Sequence, residues 1–163
     1  EAARMVGLPE DLLNRSPFEL SGGQLRRVAI AGVVAMKPEV LILDEPAAGL
    51  DPRGRDAILS SIQEMHRAGM TVILVSHNME DVARLCGRLL VLNRGELVAD
   101  GSPREIFSRN EFVKKVGLRA PDVVNLMERL RECGWNVRTD IVNVDEALKE
   151  ILREMGKEVP ILP

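Results

Sequence analysis

Val40-Leu41-Ile42-Leu43-Asp44-Glu45-Pro46 decides the fold. Four apolar residues in a row, closed by two carboxylates, read as a strand buried on both faces of a parallel sheet. The acidic pair then stands at the strand's carboxyl end, where open α/β sheets place their sites. Adjacent carboxylates there cost repulsion and desolvation unless a cation is present. In that role Asp44 faces Mg²⁺ through water, and Glu45 faces an attacking water as general base. The competing reading is a solvated acidic turn before Pro46.

Downstream, a helix at about residues 53–68 ends at Gly69 and leads to a second apolar run, Thr71–Val75. Strand, helix, strand in that order is a parallel crossover unit. Asp51-Pro52 reads as the helix cap, with Pro52 in the first turn. His77 follows the second strand and is, by itself, an ordinary loop histidine. Both residues nevertheless point to the carboxyl edge of the same sheet.

Upstream, Ser21-Gly22-Gly23-Gln24 opens a helix running to about Met36, with Val28, Ile30, Ala31, Val34 and Ala35 for burial. Ser21 with Gln24 three residues on is a capping box. A helix N-terminus offers free N–H groups and partial positive charge to an anion, and two glycines remove the side chains that would hold a phosphate off the backbone. A plain capping box before a buried helix is the alternative. Ahead of it, residues 2–14 carry apolar positions at helical spacing.

Beyond the second strand, Arg88–Asn93 and Glu96–Ala99 flank Arg94-Gly95 as a hairpin, and Pro103 opens a helix to about Arg109. From Ala120 the texture changes to two helices, Pro121–Cys133 and one capped by Asn143 that runs to about Met155. The reading is therefore α/β, a parallel core over residues 1–119 with a small α+β lobe at 120–163.

Composition limits the function. The chain has 163 residues, a net charge of -3, three Phe, one Trp and no Tyr, so it offers neither a basic face nor a stacking platform for nucleic acid. No apolar stretch spans a bilayer and no segment reads as a signal peptide. Cys86 and Cys133 stand apart, without a zinc or disulfide pattern, and a reducing cytoplasmic setting is expected. The chain opens on Glu1 rather than Met, as a piece of a longer polypeptide would.

In combination and order these residues resemble the ATPase subunit of ATP-binding-cassette transporters. Leu20–Gln24 looks like the signature motif, Val40–Glu45 like Walker B with its catalytic glutamate, Ala48–Asp51 like the D-loop and His77 like the switch histidine. Residues 16–20 and 26–32 resemble the energy-coupling-factor importers of vitamins, cobalt and nickel. Ala47 departs from the family's usual Thr without touching a catalytic position. A larger departure is that Gly-x-x-x-x-Gly-Lys-Ser/Thr, the phosphate cradle, occurs nowhere in the sequence. The Q-loop and adenine-stacking aromatic have no counterpart either, and in the family's order all three precede this segment.

The resemblance implies a partial P-loop fold and ATP sites shared between two ATPase subunits. Asp44, Glu45 and His77 act on one side, with Ser21, Gly22, Gly23, Gln24 and Asp51 closing over the partner's nucleotide. It also implies ATP and Mg²⁺ as ligands. The partners would be a membrane transporter subunit and a separate substrate-binding membrane subunit, on the inner face of the cell membrane. By itself the chain is expected to be inactive, and an exposed apolar sheet face is expected to drive it into a dimer or swapped oligomer. The alternative is a non-enzymatic pairing or regulatory module built on the lobe. A DNA-repair cassette is disfavoured by the absence of coiled-coil heptads.

Overall fold

The computed structural model describes residues 1–157; residues 158–163, the end of the expected lobe, lie outside the described residues. The chain divides into two compact units, Glu1–His77 and the remainder from Asn78.

The first unit runs α1 (Ala2–Met5), α2 (Gly22–Val34), β1 (Val40–Asp44), α3 (Pro52–Arg67) and β2 (Thr71–Val75). Single 3-10 turns at Glu10–Leu12 and Pro17–Glu19 join α1 to α2. The short helix expected within residues 2–14 covers only Ala2–Met5 and is broken at Gly7-Leu8-Pro9, where Leu8 N–H bonds back to Ala3 C=O at 2.9 Å. Proline at position 9 cannot extend the ladder.

β1 and β2 pair in parallel, Val40 opposite Thr71 through Asp44 opposite Val75, with α3 as the crossover. Asp51 caps α3 and Pro52 occupies its first turn. Ile58, Leu59, Ile62 and Met65 recur at helical spacing and are buried, so one stripe of α3 faces the core. Ile30, Ala31 and Val34 form the matching stripe on α2. Val28 and Ala35, expected in that core, lie off the stripe and are exposed.

β1 is not buried on both faces. Leu41 and Leu43 are 2% and 8% exposed, whereas Ile42 is 66% exposed. Alternate side chains of a strand point to opposite faces, and helices cover only one face among the described residues. Ile73 and Val75 of β2 join Val40 and Ile42 on the open side.

The second unit runs α4 (Met79–Leu85), β3 (Leu89–Asn93), β4 (Glu96–Gly101), α5 (Pro103–Phe107), α6 (Asn110–Val116), α7 (Asp122–Glu132) and α8 (Val144–Glu154). β3 and β4 form the expected antiparallel hairpin. Arg94 and Gly95 both adopt positive φ, 53° and 83°, as a type I′ turn requires.

A boundary at 119/120 does not survive. Met79, Val82, Phe107 and Val113 share one buried core with Val123, Val124, Met127, Val137, Ile141 and Ala147. The helices after Ala120 therefore complete a core begun at Met79 and form no separate lobe. Nor is that region α+β: its described residues hold two helices and no strand.

Arg104 of α5 ties this core's rim together, reaching Asp140 at 2.9 Å and Glu146 at 2.6 Å. Hydrogen bonding from Arg138 first, then from Arg104, holds the Asp140 carboxyl down at about 2. Cys86 and Cys133 are both free thiols, and burial, then the nearby Asp81 charge, pushes the Cys86 thiol up. No helix among the described residues is long and apolar enough to cross a membrane.

Candidate functional site

Glu45 leaves β1 by a sharp turn. Its N–H still donates to Val75 C=O at 2.9 Å, extending the sheet by one bond. Its φ is then 47°, in the left-handed region, and Ala48 N–H closes the turn on Glu45 C=O at 3.2 Å. Such a backbone costs about 1–3 kcal/mol for a residue with a side chain, and outliers of this kind concentrate at functional sites.

The turn aims the carboxylate at the end of β2. Glu45 Oε1 accepts from the His77 N–H at 2.8 Å and lies 2.6 Å from His77 Nδ1. An ionised carboxylate only accepts, so Nδ1 carries a hydrogen in this contact and Nε2 is left for another partner. The imidazole is 83% exposed and the carboxylate 31%. The pair is therefore ordered from beneath and open to solvent above.

Asp44 ends β1 on the open face, opposite Val75, with no hydrogen-bond or ion-pair partner among the described residues. No group of three or more potential metal ligands occurs among them. A single unpartnered carboxylate does not make a closed metal site. It does fit Mg²⁺, which keeps waters and takes one or two carboxylates beside phosphate oxygens.

A second group assembles at two helix N-termini. Ser21 caps α2 reciprocally with Gln24: Gln24 N–H donates to Ser21 Oγ at 3.3 Å, and Ser21 N–H to Gln24 Oε1 at 2.8 Å. The serine oxygen is thus an acceptor here, with its hydroxyl hydrogen left for a ligand. A Cβ on Gly22 would meet nothing within 4 Å, so that backbone is open to approach. Asp51 Oδ1 accepts from Gly54 N–H at 2.8 Å and caps α3.

The two helix starts share a pocket of about 410 Å³ lined by Ser21, Gly22, Gly23 and Gln24 on one side and Gly49, Leu50, Asp51 and Gly54 on the other. Arg27 and Arg53 also border it. Two positive helix ends and two guanidinium groups favour an anion.

All eight residues singled out from the sequence fall within Glu1–His77, in two groups: Asp44, Glu45 and His77 at the sheet edge, and Ser21 to Gln24 with Asp51 around the pocket. Neither Glu45 nor His77 lines the pocket. The sequence reading passed over Gly54, although its third place after a capping Asp51 is a legible signal. It also passed over Arg26, whose Nη1 donates to Ala48 C=O at 3.0 Å across 22 residues. No local pattern marks a contact of that range.

The family model described as ABC transporter matches residues 1–48. The chain is 54% identical over 154 residues to energy-coupling factor transporter ATP-binding protein EcfA2 of Clostridium tetani, covering 93% of this chain and 54% of that protein. It is 50% identical over 154 residues to the protein of that name from Caldanaerobacter subterraneus subsp. tengcongensis, covering 94% and 54%. The chain thus spans about half the length of the curated relatives it matches. Among solved structures, cbiO1 of Clostridium perfringens, described as part of the ABC transporter complex cbiONQ, superposes with a TM-score of 0.62 at 42% identity. That match covers 78% of this chain and 51% of the other. A dimeric ATP-binding cassette bound to ADP and Pi in a post-hydrolysis state matches with a TM-score of 0.55 at 32% identity, covering 63% and 44%.

Proposed function

Because the chain is a homologue of the energy-coupling factor ATP-binding proteins, within the ATP-binding-cassette family, we propose that it supplies part of an ATP-hydrolysing site in a transporter of that branch. The observation carrying this reading is the convergence of His77 N–H and Nδ1 on Glu45 Oε1 at the carboxyl edge of the β1–β2 sheet. That contact fixes a carboxylate where it can polarise a water, with a histidine beside it facing the γ-phosphate.

Within that reading each residue does a stated task. Glu45 Oε2, free of the histidine, takes hydrogen-bond density from the attacking water. Asp44 holds Mg²⁺ through a water, and the ion when bound neutralises charge on the phosphate oxygens. Ser21, Gly22, Gly23 and Gln24 present N–H groups and a hydroxyl to the nucleotide on a partner ATPase subunit, with Asp51 beside them. The transported solute, a vitamin or a metal such as cobalt, belongs to separate membrane subunits, and this chain acts on the cytoplasmic face.

The phosphate cradle is absent from this sequence, so the 163-residue chain itself does not hold Mg-ATP. A calorimetric titration with Mg-ATP tests this directly. No detectable heat of binding is expected. Tight binding would mean that another segment replaces the cradle and would overturn the half-site reading. In a complete subunit pair, Glu45→Gln is expected to abolish turnover while leaving ATP binding intact.

A further inference from the structure

We infer that Arg26 is a positioning residue that couples the start of α2 to the backbone of Glu45 through the loop between them. This rests on the ATPase reading above and adds to it a link between the two groups of site residues.

Hydrogen bonds form a continuous path. Arg26, in the first turns of α2, donates from Nη1 to Ala48 C=O at 3.0 Å. The N–H of the same Ala48 donates to Glu45 C=O at 3.2 Å. Both polar backbone groups of Ala48 are thereby committed, one to the signature helix and one to the residue carrying the general base. After Ala48 the chain turns through Gly49 at φ 72°, a conformation that suits glycine. Leu50 then lies 3.7 Å from where a Gly23 Cβ would stand, and Asp51 caps α3.

A shift of α2 along its axis therefore pulls on Ala48, and Ala48 on the left-handed turn at Glu45. The α2 start faces the nucleotide held by a partner subunit, whereas Glu45 works on the nucleotide of its own. Arg26 thus gives one subunit a means of registering closure at one site in the base geometry of the other. A guanidinium suits the role because its planar set of N–H groups is preorganised and weakly hydrated compared with an ammonium.

The test uses the complete ATPase subunit pair assembled with its membrane subunits, comparing Arg26→Met, Arg26→Lys and Glu45→Gln. With Arg26→Met, kcat is expected to fall about tenfold, the rate equivalent of one lost charge-assisted hydrogen bond. KM for ATP stays within about twofold and the cooperativity of the ATP dependence declines. Hydrogen exchange quickens at residues 47–50 and not in β1. Arg26→Lys, which keeps a donor, recovers part of the rate. Unchanged kcat and cooperativity in Arg26→Met would overturn the inference. So would a fall in rate accompanied by equal losses of ATP affinity and melting temperature, the mark of general destabilisation. If Arg26→Met does not assemble, Arg26→Gln is read by the same criteria. Normal turnover in Glu45→Gln would instead sink the ATPase reading itself.

Discussion

His77 meets Glu45 twice through a single oxygen, with its backbone N–H at 2.8 Å and its imidazole Nδ1 at 2.6 Å from Oε1. Two bonds to one oxygen leave the other free, so the carboxylate is oriented and keeps one oxygen open to a water, as the proposed base role requires. Only the imidazole contact is removed by mutation. His77→Ala in the complete subunit pair is therefore expected to lower kcat by about 10²-fold, within the range for loss of an acid–base partner, while nucleotide binding persists. Pre-steady-state hydrolysis with a separate measurement of ATP affinity checks this. A parallel fall in both would assign His77 to binding instead.

Gly54 is a steric condition for Asp51. A Cβ on Gly54 would stand 2.6 Å from Asp51 Oδ1, so in Gly54→Ala the tip of the carboxylate that caps α3 has to shift and the cap is weakened. Complete loss of an N-cap costs about 1 kcal/mol, and Ala in place of a helical Gly returns about 0.5–1 kcal/mol. The expected result is a melting temperature little changed and a clear loss of turnover, because Asp51 also borders the candidate anion pocket. If Gly54→Ala lost stability alone, Asp51 would be a helix cap and nothing more.

Asp140 sets an acid limit for the second unit. Its folded pKa of about 2 lies below the ordinary aspartate value of 3.8, so its ion pairs contribute stability above the unfolded value. That contribution is lost as pH falls through the window from about 4 to about 2. Arg138 is the larger cause and Arg104 the smaller. Carboxyl NMR titration should show Arg138→Met raising the Asp140 midpoint more than Arg104→Met does. Identical midpoints in the parent and both variants would refute the assignment.

The open side of the β1–β2 sheet should govern the behaviour of the isolated chain. Val40, Ile42, Ile73 and Val75 expose 47%, 66%, 48% and 50% of their surface on that side. Contiguous apolar surface of this kind drives association. Light scattering at micromolar concentration is expected to show a dimer or larger species, reduced by Ile42→Thr with Ile73→Thr. A clean monomer before mutation would count against it.

Local chemistry made much of this legible. Ser21 and Gln24 cap each other as their spacing predicts, Thr71–Val75 is a strand over those same residues, and Arg94-Gly95 makes the hairpin turn. What failed was longer-ranged. The apolar run at Val40–Leu43 records that a face seeks cover, not which polypeptide supplies it, so an open sheet face is expected but which residues form it, Ile42 among them, is not legible from the run. Composition shifts at Ala120, but Met79 and Phe107 share a core with Met127 across that point, and cores ignore local texture. Helix α6 was missed because seven residues carry too little periodicity to register.

The left-handed backbone of Glu45 makes two selection pressures compete at one position. Glycine would relieve that turn, so Glu45→Gly should relax the backbone even as it deletes the proposed base. A search for thermostable variants that did not also screen for turnover would tend to discard the proposed base.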